Sequence, residues 1–91
     1  MGKEVQFQVQ TPRGLWNKKE PENAPIRPDY PVETTIQKVI VDARTVFKFV
    51  ENDSKYTLFR GNEELAPERT LESYGIKNEE LLVLSVQGGN A

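Results

Sequence analysis

Only one stretch of this chain has the spacing of a helix, which sharply limits the folds open to it. Ile36, Val39, Ile40, Ala43, Val46, Phe47 and Val50 fall on one stripe, with Gln37, Lys38, Asp42, Arg44, Thr45 and Lys48 on the opposite side. Against this, the β-branched residues and the two phenylalanines lower helix propensity, and Val46-Phe47-Lys48-Phe49-Val50 also alternates as a strand would. A single strand covering the whole segment would be unusually long. The spacing therefore predicts a helix of about 15 residues, over roughly 35–50. Thr34 with Gln37 fits a capping box, and Thr35 is an equally good single cap.

The rest of the chain reads as strands and turns. Val5, Phe7 and Val9 alternate with Gln6, Gln8 and Gln10, the period-2 pattern of a strand with one buried face. Thr11-Pro12-Arg13-Gly14 is a turn, since Pro fixes φ and Gly permits positive φ. Residues 15–23 have no periodicity and read as a polar loop whose apolar content is Leu15 and Trp16; Trp16 suits a plug for the open end of the core better than an exposed anchor. Ile26, Pro28, Tyr30 and Val32 alternate again. With Pro25, Pro28 and Pro31 unable to donate to a ladder, that strand must lie at an edge. Tyr56 and Leu58 lead into a turn at Gly61-Asn62, followed by Leu65, a break at Pro67 and a short irregular stretch with Leu71 and Tyr74. Leu82, Leu84 and Val86 form a last strand. The order is strand, strand, helix, strand, strand, an α+β arrangement in one domain over 1–86 with a tail at 87–91.

Composition removes whole classes of chemistry. The 91 residues include no Cys and no His, which excludes disulfides, zinc–thiolate sites, thiol nucleophiles and the commonest general base. A domain of this size buries roughly two-thirds of its unfolded surface, leaving little room for a built catalytic cavity. No catalytic residue, metal site or cofactor is expected. The net charge of −2 is uneven: residues 1–50 carry eight basic and six acidic groups, residues 51–91 four and eight. No basic stripe suggests nucleic acid, and no apolar run approaches the roughly 20 residues that span a bilayer. The expectation is a soluble, cytoplasmic, monomeric protein.

Residues 58–76 carry a specific pattern. Leu58, Phe59, Gly61 and Leu65 are followed by Arg69-Thr70-Leu71, Tyr74 and Ile76, and this run resembles the second half of ubiquitin. Val5, Phe7, Val9, Thr11 and Gly14 match the family's first hairpin, and Thr35-Ile36 with Val39 match the start of its single helix. The resemblance implies a ubiquitin-like β-grasp fold, a mixed four- to five-stranded sheet on one helix, with the second strand at an edge. Ile36, Val39, Ala43 and Phe47 would then pack on Val5, Phe7, Leu58, Leu71, Leu82 and Leu84. The loop at 15–23 is longer than the family's, and the divergence looks like that of prokaryotic ubiquitin relatives.

The same resemblance points to function. Gly88 and Gly89 stand where ubiquitin-like modifiers carry the Gly-Gly whose carboxylate is conjugated. A tail without side chains can thread the channel of an activating enzyme. With Asn90-Ala91 beyond it, the chain would be a precursor cut after Gly89. Its partners would be an E1-like activating enzyme, an E2-like enzyme, a deubiquitinase-like processing protease and protein targets. The apolar patch by which ubiquitin is read corresponds here to Phe59, Val83 and Ser85, with Pro12 in the hairpin turn. Lys18, Lys19, Lys55 and Lys77 are candidate acceptors for further conjugation. Two alternatives share the fold: a sulfur carrier with a C-terminal thiocarboxylate, and a non-conjugated protein-interaction domain.

Overall fold

The computed structural model describes residues 3–19, 24–50 and 56–86. Among the described residues, seven strands and two helices run in the order β1 (Glu4–Gln6), β2 (Gln8–Thr11), β3 (Gly14–Trp16), β4 (Asp29–Pro31), α1 (Ile36–Phe47), β5 (Tyr56–Arg60), β6 (Glu63–Leu65), α2 (Leu71–Tyr74) and β7 (Leu81–Val86). Five strands form one mixed sheet in the order β3-β2-β7-β5-β6. The β2–β7 pair is parallel and its neighbours are antiparallel. β1 and β4 make a separate antiparallel ribbon, with Val5 opposite Tyr30. The chain leaves the ladder at Phe7, whose N–H donates to the Pro28 carbonyl at 3.0 Å, while Gln8 N–H donates to Glu80 at 2.9 Å.

The alternation of Val5, Phe7 and Val9 is realised, and all three are buried. So is that of Leu82 and Leu84, which share one core with Leu58, Leu71 and the helix residues Ile36, Val39, Ile40 and Ala43. Phe47 packs against this core from its margin. Full burial of such a side chain is worth about 1.5–3 kcal/mol, so the apolar stripe and not helix propensity holds α1 in place.

α1 is shorter than its stripe suggests. Thr35, not Thr34, caps it, accepting from Lys38 N–H at 3.3 Å. At the other end Lys48 takes a left-handed conformation (φ 57°), and the Lys48 and Phe49 amides both turn back to Arg44 O. The chain bends there, burying Phe49 and leaving Val50 83% exposed, so Val50 is not part of the helical stripe. The start of α1 is fixed by α2: Ile36 N–H donates to Arg69 O and Leu71 N–H to Thr34 O. α2 is a single turn capped by Thr70 and closed by Gly75 at φ 65°; it orders Leu71–Tyr74, the end of the stretch expected to be irregular, while residues 66–70 lie outside helix and strand.

Two other expectations change. The hairpin turn is only Pro12-Arg13, held by Thr11 Oγ1, which accepts from Arg13 N–H and donates to Gly14 O at 2.7 Å. Leu15 and Trp16 belong to β3, the edge strand, so the long connection begins at Asn17 and interrupts the returning strand instead of lengthening the turn. The strand expected around Ile26–Val32 shrinks to Asp29–Pro31 and pairs with β1, outside the five-stranded sheet. Pro28 and Pro31 explain the shortening, since neither offers an N–H to a ladder. Residues 20–23 lie outside the described residues.

Asp42 also departs from expectation. Assigned by spacing to the wet side of α1, it is 4% exposed. Its Oδ2 accepts from the Tyr30 hydroxyl at 2.6 Å and its Oδ1 lies 3.2 Å from Lys38 Nζ. Burial first, and then Asp42 as hydrogen-bond acceptor and negative charge, pushes the Tyr30 phenol above its ordinary range. This contact ties β4 to α1.

Candidate protein-recognition face

One side of the five-stranded sheet packs on α1 and the other faces solvent. Because side chains alternate along each strand, burying Leu58, Leu82 and Leu84 turns Phe59, Leu81, Val83 and Ser85 outward. Register then sets them in rows. Leu15 is opposite Gln10, Gln10 opposite Val83, Val83 opposite Phe59 and Phe59 opposite Glu64, so one row crosses every strand. Val83 is 39% exposed and Leu81 47%, while Phe59 and Leu15 are half-buried. Ser85 lies opposite Thr57, and exposed Pro12 occupies the turn beside the same end of β7, since β2 and β7 run parallel.

Of the residues expected to form a recognition patch, Phe59 and Val83 are thus direct cross-strand neighbours, with Ser85 and Pro12 toward one end of the face. Leu81 and Leu15 were not anticipated. The phase of the last strand contained the signal for Leu81: with Leu82 and Leu84 inside, Leu81 must be outside. Leu15 gave none, because its strand is only three residues long.

Trp16 takes no part in this face. It is fully buried, and its Nε1–H donates to the Ile26 carbonyl at 3.0 Å, so it anchors the far end of the long connection to the core. Arg60 is also committed inward. Its guanidinium donates to the Tyr74 carbonyl and lies 3.8 Å from Glu63; its Nε is 2.7 Å from Glu80 Oε2 but lacks hydrogen-bond alignment, so that contact acts as a charge pair.

The candidate acceptor lysines are dispersed. Lys18, Lys19 and Lys77 are exposed on loops, and Lys55 lies outside the described residues. Lys18 Nζ is 3.7 Å from Glu79, an exposed pair of little energetic weight. A cavity of about 200 Å³ opens beside Phe7, lined by Lys18, Lys19 and Glu79 among others. None of its lining residues belongs to the Phe59–Val83 row. Gly88 and Gly89 also lie outside the described residues; only Gln87 separates them from Val86, where β7 ends.

No protein-family model and no curated protein matches the chain in sequence. In structure it is similar to a de novo design based on ubiquitin, at 17% identity and TM-score 0.71, covering 96% of this chain and 93% of the design. It is also similar to the ubiquitin-like domain of an Arabidopsis thaliana protein, at 17% identity and TM-score 0.74, covering 98% and 83%. A third similar structure, called "Molecular Mimicry of SUMO promotes DNA repair", has 16% identity and TM-score 0.70, covering 94% and 95%. At these identities the likeness defines the fold and nothing finer. The chain has the ubiquitin-like β-grasp fold that its sequence pattern implied. None of these neighbours supports a prokaryotic source.

Proposed function

We propose that this chain is a ubiquitin-like protein modifier, released as a form ending at Gly89 and attached through the Gly89 carboxylate to amines on target proteins. The observation that carries the reading is the place of Gly88-Gly89, one residue beyond the end of a central strand in a ubiquitin-like fold. Domains of this fold typically serve as modifiers or interaction modules, and this chain has neither the Cys nor the His that most acyl-transfer sites use.

The chemistry would belong to the partners. On an E1-like enzyme the Gly89 carboxylate attacks the α-phosphorus of ATP, forming an acyl-adenylate and expelling pyrophosphate. An enzyme thiol then displaces AMP, and a target amine, delivered with an E2-like enzyme, displaces the thiol to leave an amide. A deubiquitinase-like protease must first remove whatever follows Gly89. The cytoplasm is the proposed setting, and the Phe59–Val83 face is the proposed surface by which partner proteins read the domain.

Intact-mass analysis of the chain from its native host tests the proposal. A form ending at Gly89 is expected, together with higher-mass adducts that disappear in Gly89→Ala. Finding only the uncut chain and no adducts would remove the modifier reading and leave a non-conjugated interaction domain, for which the exposed Phe59–Val83 row suffices. A gain in mass equal to one oxygen-to-sulfur exchange on the Gly89 form would instead identify a sulfur carrier.

A further inference from the structure

We infer that the solvent face of the sheet selects partner proteins presenting an apolar contact beside a lysine or arginine, and that Glu64 makes the selection. The inference rests on the proposed role of this face in recognition. On the outward side of the five strands, Gln8 and Gln10 have their amide N–H groups on the carbonyls of Glu79 at 3.3 Å and Thr11 at 3.1 Å. Thr57 and Ser85 add hydroxyls, and Leu81, Val83 and Phe59 are apolar. Glu64 is the one charged side chain on that side of the described strands. Within the strands, a preference of the Phe59–Val83 row for charge therefore originates there, since the exposed charges of Arg13, Lys18 and Glu79 belong to the loops around the face.

Its position makes the preference effective. Glu64 is directly opposite Phe59 on the adjacent strand, so its backbone lies one strand spacing, ~4.8 Å, from that of the half-buried Phe59 and about twice that from that of Val83. The neighbouring cation, Arg60, projects to the other side of the strand and is occupied by Glu80, Glu63 and the Tyr74 carbonyl. Among the described residues no cation pairs with the Glu64 carboxylate. A partner seated on Phe59 would draw water away from this carboxylate, so a cation at its margin is favoured and an acidic margin is rejected. A second copy of the chain does not meet the requirement. Two such faces packed by a two-fold axis bring together amides, hydroxyls and apolar groups, and each Glu64 would meet no cation on the other. Nucleic acid is disfavoured by the same carboxylate.

The test is selection of a random-peptide display library against the full chain, against Phe59→Ala and against Glu64→Lys, each first shown to be folded by circular dichroism. Peptides whose capture needs Phe59 should be enriched in Lys or Arg flanking an apolar residue, and Glu64→Lys should shift the enrichment to Asp or Glu. A peptide selected on the natural chain should bind Glu64→Lys about 3- to 10-fold more weakly at low salt, and the gap should narrow in high salt, as expected for an exposed charge at the rim of an interface. Phe59-dependent peptides with the same flanking charge on both forms would overturn the inference while leaving the recognition face intact. No Phe59-dependent peptide at all would overturn both.

Discussion

Tyr30→Phe tests the least expected feature of the interior, the buried Asp42. The substitution keeps the ring, which stacks on Phe7 at a centroid distance of 6.0 Å, and removes only the hydroxyl that donates to Asp42 at 2.6 Å. A hydrogen bond to a charged group contributes about 1.5–3 kcal/mol, and its loss leaves a 4%-exposed carboxylate facing the ammonium of Lys38, itself mostly exposed. A loss of about 2 kcal/mol at pH 7 is expected. Alkaline pH gives a second, independent signature. The unfolded chain releases the phenol proton near pH 10, whereas burial and Asp42 hold the folded Tyr30 protonated above that range. Above pH 10 the folded state thus binds one more proton than the unfolded state, and the Tyr30 contribution falls by about 1.4 kcal/mol per pH unit. It is complete below pH 10. The advantage of the natural chain over Tyr30→Phe should therefore be constant from pH 7 to 9 and shrink from pH 10 to 11. Urea unfolding followed by fluorescence of the chain's one tryptophan, buried Trp16, measures both quantities. Equal stabilities at pH 7, or stability curves that stay parallel through pH 11, would refute the buried Tyr30–Asp42 bond.

Other substitutions probe the frame around it. Trp16→Ala removes a fully buried ring and the donor to Ile26 O, and should cost about 3–5 kcal/mol in urea, enough to leave a domain of this size partly unfolded. Lys48→Gly relieves the left-handed backbone at the end of α1 and should add about 0.5–1 kcal/mol, seen as a melting temperature higher by a few degrees. Thr35→Ala should cost about 1 kcal/mol by thermal or urea unfolding, and Thr34→Ala less, because the cap hydroxyl belongs to Thr35.

What could be read from the sequence was set by periodicity. The stripe through Ile36, Val39, Ile40 and Ala43 and the alternations at 5–9 and 82–86 each follow from one buried face, so residue spacing reported them faithfully. The Leu58–Ile76 motif carried the fold beyond what spacing could give. Elements too short to show a period were invisible: β3 and β4 have three residues each, and their pairing is decided by partners far away in the chain. The end of α1 was misplaced because Lys48, not glycine, takes the left-handed turn, so no local signal announced it. Asp42 was assigned to solvent because its partner, Tyr30, lies on another element, and periodicity describes only one element at a time. At the recognition face, Phe59 and Val83 were identifiable by phase, but Glu64 gained its place only through the β5–β6 register.

Conjugation through Gly89 is tested most directly by tryptic mass spectrometry of proteins from the native host. The last basic residue is Lys77, so trypsin would leave an Asn78–Gly89 remnant joined through Gly89 to the amine of a target lysine. Branched peptides carrying that remnant are predicted, and they should be absent when Gly89 is replaced by alanine. A host proteome in which the chain is abundant, is never found ending at Gly89 and never appears as a branch would contradict the modifier account.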